Sequence, residues 1–347
     1  MKALTFHAPG EIHYEDVPEP VLRDPRDAIL RVGLTAICGS DLHVYRGHER
    51  GLDHGTIMGH EFLGVVVEAG RDVESFRPGA RVAAPFTTSC GRCFYCRSGL
   101  TCRCERGSLF GWVTDGHGLH GGQAELVRVP LADSTLVALP DQGIDEELLL
   151  AGDVLATGFY AAELGGVTDG QVVAVLGCGP VGLAAIVAAR SRRAACIFAV
   201  DGVPERRAVA TELGAEALDL EADPLGALRA ATGGRGADVI LEAVGGESAT
   251  LLAYEAVRPG GTIAAVGVHN EPRFAITPGQ LYDKNLTYRA GRCPARRLMP
   301  ELLERVKARE FELSRIVSHR LPLRDGPRAY QLFDRKLERC TKVVLVP

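Results

Sequence analysis

Three groups of residues in this sequence have the types and spacing to do chemistry. Cys90, Cys93 and Cys96 recur at two-residue gaps, and Cys104 follows. Thiolates so placed can wrap one tetrahedral ion, and four of them close its coordination shell. Such a site is expected to be structural, with no chemistry of its own. Cys102 competes for the fourth place. An iron–sulfur cluster fits less well, because the last gap is long and no proline follows it. The second group is more open. Cys38-Gly39-Ser40-Asp41-Leu42-His43 precedes Gly59-His60-Glu61. Taken alone, Cys38 and His60 suit a buried thiol and a hydrogen-bonded imidazole as well as they suit a metal. The third group is Gly177-Cys178-Gly179-Pro180-Val181-Gly182, with the glycine spacing of a dinucleotide fingerprint.

These groups need elements to hold them. Val172 to Leu176 reads as a buried strand and Val181 to Arg190 as a helix, so the glycine run sits where a phosphate-binding turn must sit. In that reading Gly177 permits the turn, Gly179 admits a pyrophosphate and Gly182 lets helix and strand pack closely. Asp201 ends the next strand, Cys196 to Val200 and beyond, where an acid can accept a ribose diol and repel a 2′-phosphate. That favours NAD over NADP. Arg206 pulls the other way, since a cation there could meet a phosphate. Further apolar runs at Val239–Leu241 and Thr262–Val266 continue a strand–helix beat, which indicates a doubly wound parallel sheet. The first half is different. Short alternating runs and Gly-Pro punctuation predict an irregular, mostly antiparallel β domain. The run Gly116-His117-Gly118-Leu119-His120-Gly121-Gly122 is expected to be a flexible loop.

The divisions expected are 1–153 for the β-rich catalytic domain, with a metal lobe at about 88–106, then 154–293 for the dinucleotide domain. The tail, 294–347, is expected to return to the first domain. Hydrophobic residues make up 46% of the 347 and charged residues 24%, with a net charge of −5. That balance and the lack of a basic run argue against nucleic acid and anionic membrane as partners. No apolar stretch is long enough to span a bilayer, and the N-terminus reads as a strand, so a cytoplasmic location is the default expectation. Ten cysteines in a reducing compartment are better metal ligands than disulfide partners.

In order and spacing together, these motifs resemble those of the zinc-dependent medium-chain alcohol dehydrogenases, along essentially the whole chain. Gly260-Gly261-Thr262 adds to the match. The resemblance implies a GroES-like catalytic domain beside a Rossmann coenzyme domain, two Zn²⁺ per chain, and NAD. It implies that Cys38 and His60 hold a catalytic zinc, and that Cys90, Cys93, Cys96 and Cys104 hold a structural one. Asp153 stands at the position of the second cysteine, where other branches of the family use a carboxylate, so it is the expected third ligand. One thiolate and one carboxylate still balance Zn²⁺. Glu61 matches a carboxylate that approaches the metal during ligand exchange. Asp41 matches the acid that orients the histidine ligand. Ser40 and His43 match a proton relay. Thr157 and Val181 match residues packing against nicotinamide, Val266 and Val268 flank the loop that meets its carboxamide, and Lys342 matches a cation on the pyrophosphate. Phe86 matches a pocket-lining aromatic. Phe110, Trp112 and Leu119 are further apolar pocket candidates, which favour simple alcohols over polyols.

The implied reaction moves a hydride between an alcohol, primary or secondary, and NAD, giving an aldehyde or ketone. The proton leaves through Ser40, the cofactor ribose and His43. Rival substrates are polyols, threonine and formaldehyde hydrate. A catalytically silent NAD-binding protein is the remote alternative, opposed by the joint presence of Cys38, Ser40, His43 and His60. The short segment after Cys104 resembles the compact bacterial branch of that family, which implies a homo-oligomer, a tetramer or a dimer.

Overall fold

A computed structural model describes residues 1–141 and 143–347. It divides into two compact units, Met1–Ala156 with Pro294–Pro347, and Thr157–Cys293. Among the described residues no helix is long and apolar enough to cross a membrane.

The first unit is β-rich. Its largest sheet runs Val137–Ala138, Arg81–Ala84, Glu61–Ala69, Ala28–Ala36, Val343–Val346, His319–Pro322, with Leu126–Val129 also on Ala28–Ala36. Alternate residues of Ala28–Ala36 face the core, with Leu30 and Val32 joining Phe62, Val66, Val82 and Val127. The pairings are antiparallel except the last, His319–Pro322 on Val343–Val346, which is parallel. A second sheet orders Glu11–Asp16, Lys2–Ala8 and Thr56–Ile57.

The glycine-rich run expected to be a flexible loop is instead half of a hairpin. Trp112–Thr114 pairs antiparallel with His117–Leu119. Asp115 and Gly116 form the two-residue turn, both with positive φ, a conformation that Asp-Gly favours in tight hairpins. The Asp53 carboxylate pins that turn by accepting the Asp115 and Gly116 N–H groups at 3.0 and 2.7 Å.

The second unit is a six-stranded parallel sheet. Its spatial order is Glu216–Asp219, Cys196–Asp201, Val172–Leu176, Ala237–Glu242, Val257–Ala265, Thr287–Ala290. In chain order the third strand leads, then the second, first, fourth, fifth and sixth, which is the dinucleotide-binding arrangement. The strand order reverses between Val172–Leu176 and Ala237–Glu242, the crevice where such sheets bind ligands. Pro180–Ser191 is an alanine-rich helix buried along most of its length. Pro180 at its first position needs no N–H partner and presets φ. Gly177 turns the chain at φ +85°, and a Cβ on Gly182 would lie 1.7 Å from the Gly177 carbonyl oxygen. Gly179 is different, since its Cβ would meet nothing nearer than Arg206 Nη1 at 3.8 Å.

These distances predict a split between two small substitutions. Gly182→Ala forces the helix off its strand and should lower stability by about 1–3 kcal/mol, the usual scale of overpacking. Gly179→Ala should leave it unchanged. Urea denaturation of both variants checks this, and equal midpoints would refute the placement of the turn.

Candidate active site

In the first unit Cys38, His60, Glu61 and Asp153 are all buried, and their ligand atoms lie within 4.8 Å of one another. The sheet explains two of them. Ala28–Ala36 and Glu61–Ala69 are antiparallel neighbours with Ala36 opposite Glu61. Cys38 therefore leaves one strand beside the point where His60 enters the other. Asp153 joins them from the turn between helices Asp145–Leu150 and Val154–Leu164.

Hydrogen bonds aim the set. Asp41 Oδ1 stands 3.2 Å from His60 Nδ1. Its Oδ2 accepts the Cys38 N–H at 2.9 Å and Gln123 Nε2 at 3.3 Å. His60 Nε2 then faces Asp153 Oδ2 at 3.3 Å and Ser40 Oγ at 3.3 Å. Cys38 Sγ donates to the same Asp153 oxygen at 3.3 Å. A carboxylate on one ring nitrogen with the other nitrogen facing anionic donors is how a histidine ligand is oriented. Phe86 lies edge-on to His60, ring centroids 6.3 Å apart.

Burial sets the electrostatics. It pushes the Cys38 thiol up to about 11, and the Asp153 and Glu61 carboxylates add to the rise. Burial lowers the pKa of His60, but Asp41, Cys38 and Asp153 outweigh it and hold it well above the ordinary value. Burial raises Glu61 against the opposing pull of Lys342. Glu61 Oε2 is buried with no hydrogen-bond partner among the described residues. A thiol, an imidazole, a carboxylate and an orphaned carboxylate oxygen in one dry cluster suit a divalent cation. The mix of sulfur, nitrogen and oxygen donors is compatible with zinc.

The second sulfur group also closes. Cys90, Cys93, Cys96 and Cys104 bring their Sγ atoms within 4.8 Å. Backbone N–H groups point at these sulfurs: Cys90 N–H to Cys104 at 3.2 Å, Cys93 N–H to Cys90 at 3.4 Å, and Cys96 N–H to Cys93 at 3.5 Å. Backbone donors from Cys96 and Glu105 lower the Cys93 thiol to about 6. Four thiols with amide donors behind them fit a tetrahedral structural zinc. Cys102 is buried outside this group.

In the second unit Gly177, Asp201 and Val266 follow or end their strands at the carboxyl edge of the sheet. Gly179 caps the helix that Pro180, Val181 and Gly182 open. Asp201 is held by two backbone donors, Cys178 N–H to Oδ2 and Val203 N–H to Oδ1, both at 2.7 Å. Arg206 lies by Gly179, and its Nε is buried with no partner among the described residues. Val266 is half-buried and Val268 exposed, on the loop packed against Gly245. Thr157 is buried near the start of this unit.

Two expectations are corrected. Lys342 is not available to a pyrophosphate: it has no exposed surface, and its Nζ donates to Glu61 Oε1. Of the apolar pocket candidates, Phe110 and Leu119 are core residues, and Trp112 packs on the core around Leu4 and Met58. Their hairpin turns them inward, so Phe86 is the aromatic left beside His60. His43 is half-buried on the short helix Asp41–Tyr45, its ring 6.4 Å from that of His48. Residues that sequence reading missed are Gln123 and Tyr330. Tyr330 OH donates to Gln123 Oε1 at 2.9 Å, and Gln123 passes the chain to Asp41. No local spacing links them, because Tyr330 and Gln123 stand 207 positions apart.

Comparison with known proteins supplies a family. Residues 24–141 match the alcohol dehydrogenase GroES-like domain, and residues 180–308 match the zinc-binding dehydrogenase domain. Zinc-type alcohol dehydrogenase B of Aspergillus flavus is 40% identical over 344 residues, covering 96% of this chain and 79% of that protein. The alcohol dehydrogenase TADH of Thermus sp. ATN1 superposes with a TM-score of 0.94 at 40% identity, covering 100% of this chain and 99% of that one. An alcohol dehydrogenase of E. coli CFT073 complexed with NADH superposes with a TM-score of 0.86 at 26% identity, covering 100% and 99%. The two donor sets and the parallel sheet thus sit in a chain that belongs to the zinc-dependent medium-chain alcohol dehydrogenase family.

Proposed function

We propose that this chain is a two-zinc, NAD-linked dehydrogenase of small alcohols, running equally toward aldehyde reduction. The observation that carries the reading is the open donor set, in which Asp41 orients His60 and Ser40 Oγ lies 3.3 Å from His60 Nε2. Cys38, His60 and Asp153 would hold the catalytic ion. Three protein ligands leave one position for substrate. Zinc, when bound, supplies a Lewis acid that eases loss of the alcohol proton. NAD, when bound, takes the hydride. Glu61 is engaged by Lys342 and so is reserved from the resting ligand set.

The chain's own residues handle position and proton. Asp41 occupies His60 Nδ1, which leaves Nε2 to present its lone pair. Phe86 keeps an apolar wall beside that ring. Ser40 carries a hydroxyl, which both accepts and donates, so it can take a proton from a substrate oxygen. His43 lies one turn further along, half-buried, and an imidazole exchanges protons with water near neutral pH. In the second unit Asp201 keeps lone pairs beyond its two backbone bonds, and those suit a ribose diol. Its negative charge opposes a 2′-phosphate.

Four outcomes follow. Metal analysis of the purified protein should find two zincs, with about one left in Cys90→Ser and in Asp153→Ala. Cys90→Ser should mainly lose stability, because binding energy at a structural site is folding energy. Asp153→Ala should lose most activity; a fully active variant with both zincs would sink its role as ligand. Asp201→Gly should narrow or invert the NAD over NADP preference in kcat/KM, and a parent enzyme more efficient with NADP would overturn the ribose assignment. His43→Gln should slow alcohol oxidation at pH 7 by about 10²-fold or less, the lower end of acid–base assistance. Its zinc content should not change, and the defect should shrink as pH rises and hydroxide takes the proton. Parallel pH–rate curves for parent and variant would rule the relay out.

A further inference from the structure

A third group of ligand side chains lies on the small sheet of the first unit, apart from both zinc sets. His7, His13 and Glu15 bring a ligand atom each within 4.8 Å of the others. Strand Lys2–Ala8 pairs antiparallel with Glu11–Asp16, with Thr5 opposite His13 and Ala3 opposite Glu15. Leu4, Phe6 and Ile12 turn into the core. The two-residue period therefore sends Thr5, His13 and Glu15 to the other face. His7 follows Thr5 by two residues, so the same period places it on that face, where the register shifts between Phe6 and Ala8.

The group is built. His7 Nε2 stands 2.9 Å from Glu15 Oε1. Thr5 Oγ1 donates to that same oxygen, which fixes the carboxylate from the opposite strand. The His7 and His13 rings stack at 3.8 Å with planes 18° apart. The His54 ring also lies against His7, tilted, with ring centroids 4.2 Å apart. It comes from the loop before Thr56–Ile57, a strand paired with the other edge of Lys2–Ala8. Three segments thus deliver three imidazoles and one carboxylate to one place. The imidazole lone pairs lie in the ring planes, so the stack of His7 and His13 must open for the two rings to share one ion.

We infer that His7, His13 and Glu15 form a third metal site, for a borderline divalent transition ion such as Zn²⁺, Ni²⁺ or Cu²⁺. Imidazole and carboxylate donors without thiolate select that class over Cu(I), and the imidazoles disfavour Mg²⁺ and Ca²⁺. Donors in a tetrahedral zinc site stand ~3.4 Å apart, given zinc–nitrogen bonds near 2.0–2.1 Å. The observed ligand atoms lie within 4.8 Å of one another, and metal binding would unstack the two rings. His13 is exposed and no thiolate takes part, so the ion exchanges with solution and water completes its shell. The site lies outside the catalytic machinery, and its loss leaves alcohol oxidation intact.

The test compares zinc uptake by the intact, untagged protein with that of His13→Gln and Glu15→Gln. Both substitutions are at partly or fully exposed positions, so folding is kept. After equilibrium dialysis against micromolar zinc, the parent should hold one equivalent more than either variant, and the variants' affinity should fall at least about tenfold. Cu²⁺ added to the parent should give an electron paramagnetic resonance spectrum with imidazole nitrogen coupling that His13→Gln weakens. Equal zinc counts in parent and variants, as an ordinary His7–Glu15 ion pair would give, overturn the site. So does a copper spectrum unchanged by the substitution.

Discussion

The first unit is organised by a charge problem. Cys38, Glu61, Asp153, His60 and Lys342 are all taken out of water within one cluster. Ions removed from water must be neutralised by close partners, since the uncompensated cost is several kcal/mol each. The pairs visible in the structure divide the task. Lys342 covers Glu61, and His60 lies between Asp41 and Asp153. A divalent cation held by a Cys38 thiolate and the Asp153 carboxylate would cancel those two charges, while Asp41 is stabilised by the Cys38 N–H, Gln123 and His60. The same arithmetic explains why Glu61 can have a free oxygen and still be tolerated. Its charge is already matched by Lys342, so Oε2 is left as a donor in reserve.

Neutrality of this kind demands long-range precision, and that decided what could be read from the sequence. Cys38, Ser40, Asp41, His60 and Glu61 sit in two short motifs, and an antiparallel strand pair is enough to bring them together. The parallel sheet and its glycine turn were legible for the same reason: strand, turn, helix and acid follow one another within about one structural repeat. Lys342 was misread because burial and partner choice are properties of the folded chain, and no local pattern reports them. Gln123 and Tyr330 were missed on the same ground. The hairpin at Trp112–Leu119 is a different failure. Asp115-Gly116 is a strong two-residue turn signal, but the surrounding glycines and histidines masked the short strands. Once the hairpin forms, Phe110 and Leu119 become core, and the candidate pocket loses them.

The two sulfur-bearing sites show how one chain makes a closed and an open site from the same chemistry. Around Cys90, Cys93, Cys96 and Cys104 the supporting donors are backbone N–H groups of the lobe itself. Spacing alone specifies them, so the lobe is nearly self-contained. Around Cys38 the support starts with its neighbour Asp41 and runs on through side chains of distant segments, Gln123 and then Tyr330. Asp41 fixes one nitrogen of His60 and leaves the other toward the donors. The open site thus depends on the packing of the whole unit, whereas the closed one depends on a loop.

In the second unit Asp201 carries a comparable double duty. Its carboxylate accepts the Cys178 N–H, inside the glycine turn, and the Val203 N–H, just after its own strand. The group proposed to meet the ribose therefore also ties down the turn proposed to receive the phosphates. A change at Asp201 removes a charge and releases the Cys178 amide together. The two effects separate by size. A neutral side chain that still accepts from Cys178, as Asn does, keeps the turn and drops the repulsion of a 2′-phosphate. Glycine drops both. Cofactor selectivity should then follow the charge, while affinity for either cofactor should follow the turn.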